Sequence, residues 1–142
     1  MWWNLRDGWP IVSDAIVDYY NDRKLAFEYV KRSQAMVCAM CGEPENGAHP
    51  LVVVNDFREP VKGTLRAWQA GSLATMWEGT FEVEANGRGT VAHLPQSAKQ
   101  DVWFFAWELE DNTKGWNHYL AGSHPFDLAW YREILTSEKN EN

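Results

Sequence analysis

After residue 34, the chain alternates between short apolar segments and turn-forming residues. Residues 51–55 (Leu-Val-Val-Val-Asn) form an unbroken apolar run that predicts a buried strand, whereas residues 75–84 end in an apolar–polar alternation that predicts a half-buried one. Further strands are predicted around Cys38 and Cys41 and at residues 62–69, 88–94, 101–110 and 116–121. Short strands at this spacing predict a mainly β fold, an immunoglobulin-like antiparallel β-sandwich of about seven strands.

Two of these segments carry information about topology. The pair Asn86-Gly87 lies between two predicted strands, and because both residues tolerate a positive φ, the pair predicts a β-hairpin. In the segment 101–110, large apolar residues fall on one face of the strand: Trp103, Phe105, Trp107 and Leu109. This face is predicted to lie in the core.

The first 34 residues lack this pattern and are predicted to form a separate segment. Residues 23–33 place apolar and charged side chains at helical spacing, and Asn21-Asp22 predict the N-terminal cap of that helix. Upstream, residues 2–5 predict a strand and Gly8-Trp9-Pro10 an irregular loop. The sequence therefore predicts a strand, loop and helix at 1–34 and a sandwich at 35–142.

Charge and hydropathy exclude two classes of partner. The chain has 20 acidic and 13 basic residues, a formal net charge of −7, and no cluster of Lys and Arg, so no nucleic-acid partner is expected. The most apolar run, residues 102–107, is far shorter than the roughly 18 residues of a membrane span, so no membrane partner is expected either. The N-terminus lacks the pattern of a signal peptide, and the localisation stays undecided.

Cys38 and Cys41 are separated by two residues, a spacing that occurs in redox and zinc sites. In a strand, their side chains would lie about 10 Å apart on opposite faces, too far for a disulfide. A zinc site needs about four ligands, and only His49 is near in sequence. We therefore expect two buried or half-buried free thiols, compatible with the cytoplasm, and neither a metal nor a cofactor.

Asp7, Asp14 and Asp18 lie close together beside a tryptophan-rich segment, which makes them candidates for a pair of catalytic carboxylates. Such a pair works only inside a cleft that gives the two groups different pKa values, and a short strand–loop–helix segment cannot form one. We expect these residues to cap, turn or pair with cations. Glu108 and Glu110 are expected to form a solvated strand end. No catalytic residue is therefore expected in this chain.

Nine tryptophans are the most unusual feature of the composition. Because an indole is costly to expose and offers a flat face to a sugar ring, this number suggests aromatic packing, carbohydrate contact or both. Trp103 and Trp107 are predicted core residues. Trp68, Trp77 and Trp116 are candidates for sugar contact, and Trp68 is out of phase with the buried positions of its strand. The alternative is that these three residues cover the sheet or contact a protein partner.

Several motifs lie near the ends of the chain. The N-terminal segment reads Trp-Trp-Asn-Leu-Arg-Asp-Gly-Trp-Pro at 2–10 and Val-Asp-Tyr-Tyr at 17–20, and the C-terminal segment reads Asn-His-Tyr-Leu at 117–120 and Pro-Phe-Asp-Leu at 125–128. Together with Val-Asn-Asp at 54–56, these motifs resemble the end of the catalytic barrel and the following sandwich domain of glycoside hydrolase family 2. This family contains β-galactosidases, β-mannosidases and β-glucuronidases.

The resemblance implies that residues 1–34 are the last strand, loop and helix of a (β/α)8 barrel and that residues 35–142 are the C-terminal domain. Family members are retaining glycosidases whose two catalytic glutamates, about 5–5.5 Å apart, both precede the segment present here. The resemblance thus implies a chain without turnover, whose partner is the catalytic barrel of a longer enzyme that hydrolyses β-linked sugars. Of the family's sugar-binding residues, only Trp3 has a counterpart, in the floor of the reactive subsite.

Two other interpretations stay open. The chain could be a carbohydrate-binding module that uses exposed tryptophans, or a free-standing protein-interaction domain. Where no barrel covers them, Trp2, Trp3 and Trp9 would form an exposed apolar group. Such a group favours self-association.

Overall fold

Seven strands and two helices form the part of the chain that the computed structural model describes, namely residues 4–11, 13–72, 74–123 and 125–139. The chain divides into two compact units, Met1–Ala35 and Met36–Asn142. In chain order, the elements are α1 (Leu25–Ser33), β1 (Val37–Cys41), β2 (Ala48–Asn55), β3 (Val61–Gln69), β4 (Thr75–Val83), β5 (Gly87–Pro95), β6 (Asp101–Leu109), β7 (Lys114–Ala121) and α2 (Leu128–Lys139).

The described strands all belong to the second unit, where they form two antiparallel sheets. One sheet has the order β1-β2-β5 and the other has the order β4-β3-β6-β7. The predicted seven-stranded β-sandwich is therefore confirmed. Turn residues delimit its strands as expected; for example, β6 and β7 are joined by a tight turn in which Asn112 has a φ of 66°.

The main core lies between the two sheets, and β6 is its central strand. Its predicted apolar ladder points inward, and all four members are buried: Trp103, Phe105, Trp107 and Leu109. They pack with inward residues of the neighbouring and facing strands, including Leu51, Val53 and Leu65. Burial of a large apolar side chain contributes about 1.5–3 kcal/mol, so this ladder is a main source of stability.

The hairpin predicted at Asn86-Gly87 is wrong. β4 belongs to the four-stranded sheet, whereas β5 pairs with β2 in the other sheet. Asn86 has a positive φ of 48°, as the turn prediction requires, but its N–H donates to Phe57 O (2.9 Å). The chain therefore crosses from one sheet to the other at this point.

A buried asparagine holds this crossing in place. Asn55 is fully buried at the end of β2, and its Oδ1 accepts from the N–H of Phe57 at 2.9 Å. Its Nδ2 lies within hydrogen-bond distance of three backbone carbonyls, those of Glu59 (2.8 Å), Val83 (3.2 Å) and Glu84 (3.0 Å). One side chain thus bonds backbone groups of two separate connections, and the carbonyl of Val83 is buried where it accepts this bond.

Helix α2 packs on the outer face of the four-stranded sheet and is absent from the sequence-based prediction. Asp127 caps the helix, because its Oδ1 accepts from two backbone N–H groups of the first turn, at 2.7 and 3.1 Å. Tyr131 of α2 is buried with Val102 and Phe104 of β6 in a second apolar cluster, separate from the inter-sheet core. Strand β6 is therefore covered on both faces, by the facing sheet and by α2.

The first unit contains α1 and two irregular segments that meet through isolated bridges. Arg6 pairs with Val17 in parallel, and Val17 pairs with Arg23 in antiparallel orientation. The helix begins at Leu25, and its N-cap residue, Lys24, makes no side-chain cap bond. The predicted cap at Asn21-Asp22 is wrong because these residues form a turn ahead of the helix, in which the N–H of Asp22 donates to Asp18 Oδ1 (2.8 Å).

Candidate functional site

The outer face of the four-stranded sheet carries a groove of about 580 Å³ that contains two of the tryptophans predicted to contact sugar, Trp68 and Trp116. Strand register arranges the outward side chains in rows across the sheet, in the order β4, β3, β6, β7. These rows are Thr80–Thr64–Glu108–Lys114, Glu78–Arg66–Ala106–Trp116 and, on three strands, Trp68–Phe104–His118. Helix α2 packs on the third row, and members of all three rows line the groove.

Stacked aromatic rings form one wall of the groove. Trp68 stacks on Phe104 with the ring centroids 5.7 Å apart and the planes at 24°, and Phe104 lies 6.3 Å from Trp116. Phe104 is buried, while the two tryptophans are half-buried. Each tryptophan is therefore fixed by contact with Phe104 and still contributes to the groove surface.

Charged side chains complete the lining of the groove. Arg66 lies 5.5 Å from the ring centre of Trp68, and its Nε donates to Thr75 Oγ1 at 3.1 Å. Lys114 Nζ pairs with Glu108 Oε2 at 3.1 Å. Glu78 is exposed on the same face, on β4 at the far edge of the sheet. Two cations and two carboxylates thus line the groove, so the lining carries no net charge at neutral pH.

The depth of the groove depends on one small side chain, that of Ala106. Ala106 lies between Arg66 and Trp116 in the second row, so a methyl group stands between two of the largest side chains of the sheet. Leu135 of α2 also lines the groove. The groove is therefore a depression in the sheet surface, bounded by α2, the aromatic wall and the charged residues.

The structure brings together Trp68 and Trp116 and separates them from Trp77. Trp77 packs against the inter-sheet core, on the opposite face of the sheet. Three residues of the groove lining were not predicted from the sequence: Phe104, Arg66 and Glu78. A signal for Phe104 exists: the uninterrupted apolar run at 102–107 is typical of a strand covered on both faces. Arg66 and Glu78 have no comparable signal, because only strand register places them beside the tryptophans.

The N-terminal tryptophans are only partly within the described structure. Trp2 and Trp3, the latter predicted to be a substrate-binding residue of the longer enzyme, lie outside the described residues. Trp9 is described, and 66% of its surface is exposed. Other large apolar residues of the first unit are also exposed, including Leu5 at 59%, Ile11 at 51% and Tyr20 at 69%. The first unit therefore presents much apolar surface for its size.

Asp14 and Asp18 have local structural partners. Asp14 Oδ1 accepts from Asn4 Nδ2 at 2.9 Å, and Asp18 Oδ1 caps the turn before α1. Glu108 is paired with Lys114, and Glu110 is exposed. Asp18 has the turn role and Glu110 the solvated position that the sequence predicts. Glu108 lies within β6 and instead pairs with Lys114, and Asp14 bonds an amide rather than a cation.

Asp7 is the buried carboxylate of the first unit. Its side chain accepts a hydrogen bond from Ser13 Oγ and forms an ion pair with Lys24 Nζ at 2.9 Å. The Ser13 hydrogen bond and the Lys24 ammonium group hold the pKa of this carboxyl below its usual value. Asp7 is therefore an ionised structural group, in keeping with the salt-bridge role that was expected.

The two cysteines are free, as predicted, with Cys38 buried and Cys41 half-buried. Burial raises the pKa of the Cys41 thiol to about 12, and the neighbouring Glu43 carboxylate contributes to this rise. A thiol with such a pKa is almost entirely protonated at neutral pH and is a poor nucleophile. His49 has a packing role, because it is buried against Trp103 and Tyr119 and bonds Gly42 O through Nδ1 at 2.9 Å.

The described residues offer neither a metal site nor a membrane-spanning helix. No group of three or more His, Cys, Asp and Glu side chains in the described ranges could hold a metal ion. Neither of the described helices is long and apolar enough to cross a membrane.

Comparison with known proteins gives similarity at the level of structure. No protein-family model and no curated protein sequence matches the chain. The structure is similar to β-D-mannosidase from Dictyoglomus thermophilum, with a TM-score of 0.67 and 23% identity over 84% of this chain and 16% of that one. It is also similar to the exo-chitosanase CsxA from Amycolatopsis orientalis, with a TM-score of 0.62 and 16% identity over 84% and 15% of the two chains. A structure of this exo-chitosanase in complex with PNP-β-D-glucosamine gives a TM-score of 0.61 and 15% identity.

These similarities show the fold that the chain shares with glycosidases. The chain spans only 16% of the mannosidase and 15% of the exo-chitosanase, so it corresponds to a small segment of each.

Proposed function

We propose that the chain is the non-catalytic C-terminal part of a retaining β-glycosidase related to glycoside hydrolase family 2. The observation that carries the proposal is the extent of the structural similarity: 84% of the chain superposes on glycosidases, yet it accounts for only 15–16% of their length. In this proposal, the second unit is the domain that packs on and supports the catalytic barrel. The two catalytic glutamates belong to that barrel.

The exposed apolar residues of the first unit support this proposal. Trp9, Ile11 and Tyr20 are each more than half exposed, and water contact of such side chains is unfavourable by about 25 cal/mol per Å² of apolar surface. A large partner surface that covers them removes this cost. The barrel of a longer enzyme is a partner of this kind, and residues 1–34 would then contribute its last strand, loop and helix, with Trp3 in the sugar pocket.

The proposal is tested first at the level of the gene. Sequencing upstream of the codon for Met1 should reveal a continuous reading frame that encodes a barrel-sized segment with two glutamates at the ends of predicted strands. An in-frame stop codon immediately upstream, followed by a ribosome-binding site for Met1, would contradict the proposal.

Activity provides the second test. The purified chain should release no nitrophenol from a panel of aryl β-glycosides, whereas the full reading frame should hydrolyse at least one of them. The matched control is the full-length enzyme with both strand-end glutamates replaced by glutamine, which should be inactive but folded. Turnover by the purified chain alone would refute the proposal, because retaining hydrolysis needs two carboxyl groups about 5–5.5 Å apart.

A further inference from the structure

We propose that the groove on the outer face of the four-stranded sheet binds a neutral disaccharide or the end of a longer glycan. This function goes beyond the proposed support of a catalytic barrel, because the groove belongs to the second unit alone. Trp68 and Trp116 would contact the apolar faces of the sugar rings. Glu78, Arg66 and Glu108 would exchange hydrogen bonds with the hydroxyl groups.

The first argument is the pairing of aromatic and polar surfaces within one depression. A pyranose ring has an apolar C–H face and a rim of hydroxyl groups, so its binding site needs an indole beside convergent donors and acceptors. Trp116 is in register with Ala106, and Ala106 is in register with Arg66, which places the depression between an indole and a guanidinium group. Contact with Phe104 fixes Trp116, so little side-chain entropy is lost on binding.

The second argument is the charge of the lining. Arg66 and Lys114 balance Glu78 and Glu108, so the groove offers no net attraction to an anion or a cation. Planar carboxylate and guanidinium groups suit neighbouring sugar hydroxyls, because each group can form two hydrogen bonds side by side. A neutral polyhydroxylated ligand therefore fits this lining better than a phosphate, a polyamine or a strongly charged peptide does.

The third argument is size. The groove has a volume of about 580 Å³, which lies within the range of roughly 300–1,000 Å³ that is typical of small-molecule sites. Such a volume suits a disaccharide, and the edges of the sheet leave room for a longer glycan to continue into solvent. A folded protein partner would require a larger and flatter surface.

Binding is tested by titrating the isotope-labelled full chain with cellobiose, mannobiose, chitobiose and, as an apolar comparison, phenol, while recording two-dimensional NMR spectra. At least one disaccharide should produce saturable shifts that are confined to β3, β4, β6, β7 and the part of α2 around Leu135, with a Kd between about 0.1 and 10 mM. The affinity should change by less than about twofold between 0.05 and 0.5 M NaCl, because the ligand is neutral. Shifts with phenol alone would indicate a nonspecific apolar pocket and would overturn the proposal.

Variants on one strand provide a matched comparison. Glu78→Gln should weaken binding by about tenfold, because a charged acceptor of hydroxyl groups is lost. Glu82→Gln should leave binding unchanged, since Glu82 lies on the same face of the same strand but pairs with Lys62 outside the groove. Equal effects of these two substitutions would overturn the proposal.

The aromatic contact is tested by Trp116→Phe and Trp116→Ala. The first variant should retain the fold and weaken binding severalfold, and the second should abolish measurable binding; near-UV circular dichroism and Tm report whether each variant is folded. No saturable shift with any disaccharide up to solubility would refute the groove but leave the proposed support function intact, because the latter depends on the reading frame and on the barrel.

Discussion

Asn55 shows how a single polar residue sets the path of the chain. Its amide group satisfies backbone groups on the connection after β2 and on the connection after β4, and the side chain is fully buried. Both connections therefore depend on one residue.

We expect Asn55→Ala to lower the free energy of unfolding by about 2–4 kcal/mol, because the buried carbonyl of Val83 and three partly buried backbone groups would lose their partner. Urea denaturation followed by circular dichroism measures the change. The matched comparison is Asn86→Ala, which removes no side-chain hydrogen bond but strains a position with a positive φ, and should cost about 1 kcal/mol. A loss below about 0.5 kcal/mol for Asn55→Ala would show that water replaces the side chain.

Asp7 makes the stability of the first unit dependent on pH. Because its pKa is lowered in the folded state, the stabilisation is present above the unfolded-state pKa and is lost as the pH falls through the native pKa. Asp7→Asn should therefore destabilise the first unit at pH 7, and the difference from the wild type should shrink in acid.

Amide hydrogen exchange at Val17 and Lys24 measures this effect, because both N–H groups are bonded within the first unit. Asp14→Asn is the control, since Asp14 is exposed and its loss should change exchange at these amides little at any pH. A difference between wild type and Asp7→Asn that is constant with pH would contradict the assignment of Asp7 as the titrating group.

At the scale of elements, the strands could be predicted from the sequence because the signal is local. Period-two alternation and turn residues define β3, β4 and β6 within a few residues of their ends. The sheet to which a strand belongs is not a local property. Asn86-Gly87 has the residues of a hairpin turn, but the strand that follows pairs with β2, since Asn55 and Phe57 bind the connection instead.

Helix α2 could also have been predicted from local signals. Trp130, Tyr131, Ile134 and Leu135 recur at helical spacing, and Asp127 precedes them as a cap. The groove, in contrast, needs the register of four strands and the position of this helix. Trp68 and Trp116 are 48 positions apart in sequence, and no local pattern indicates that both contact Phe104.

The cap of α2 gives a prediction at this scale. Asp127→Ala should destabilise the helix by about 1 kcal/mol, because two N–H groups of the first turn lose their acceptor. Amide exchange in α2 should accelerate about fivefold, whereas exchange in β2 should not change. The control is Ser137→Ala, which removes a bond from an exposed hydroxyl to Ile134 O near the other end of the helix. Unchanged exchange in α2 would show that apolar packing alone fixes its start.

At the scale of the whole molecule, the exposed apolar residues of the first unit predict association of the isolated chain. Sedimentation velocity should show a weight-average mass that rises with concentration, because burial of side chains such as Trp9 is favourable. Trp9→Ser should shift this rise to a concentration at least tenfold higher. Phe57→Ser is the control, since Phe57 is 39% exposed but belongs to the second unit. A monomer at all concentrations, with the wild-type sequence, would contradict this prediction.

Ala106 has a consequence for how such domains diversify. Its methyl group faces outward, so exchange for leucine would fill the depression without entering the inter-sheet core. The ligand site that we propose could therefore be closed at this one position while the inter-sheet core and the fold stay unchanged.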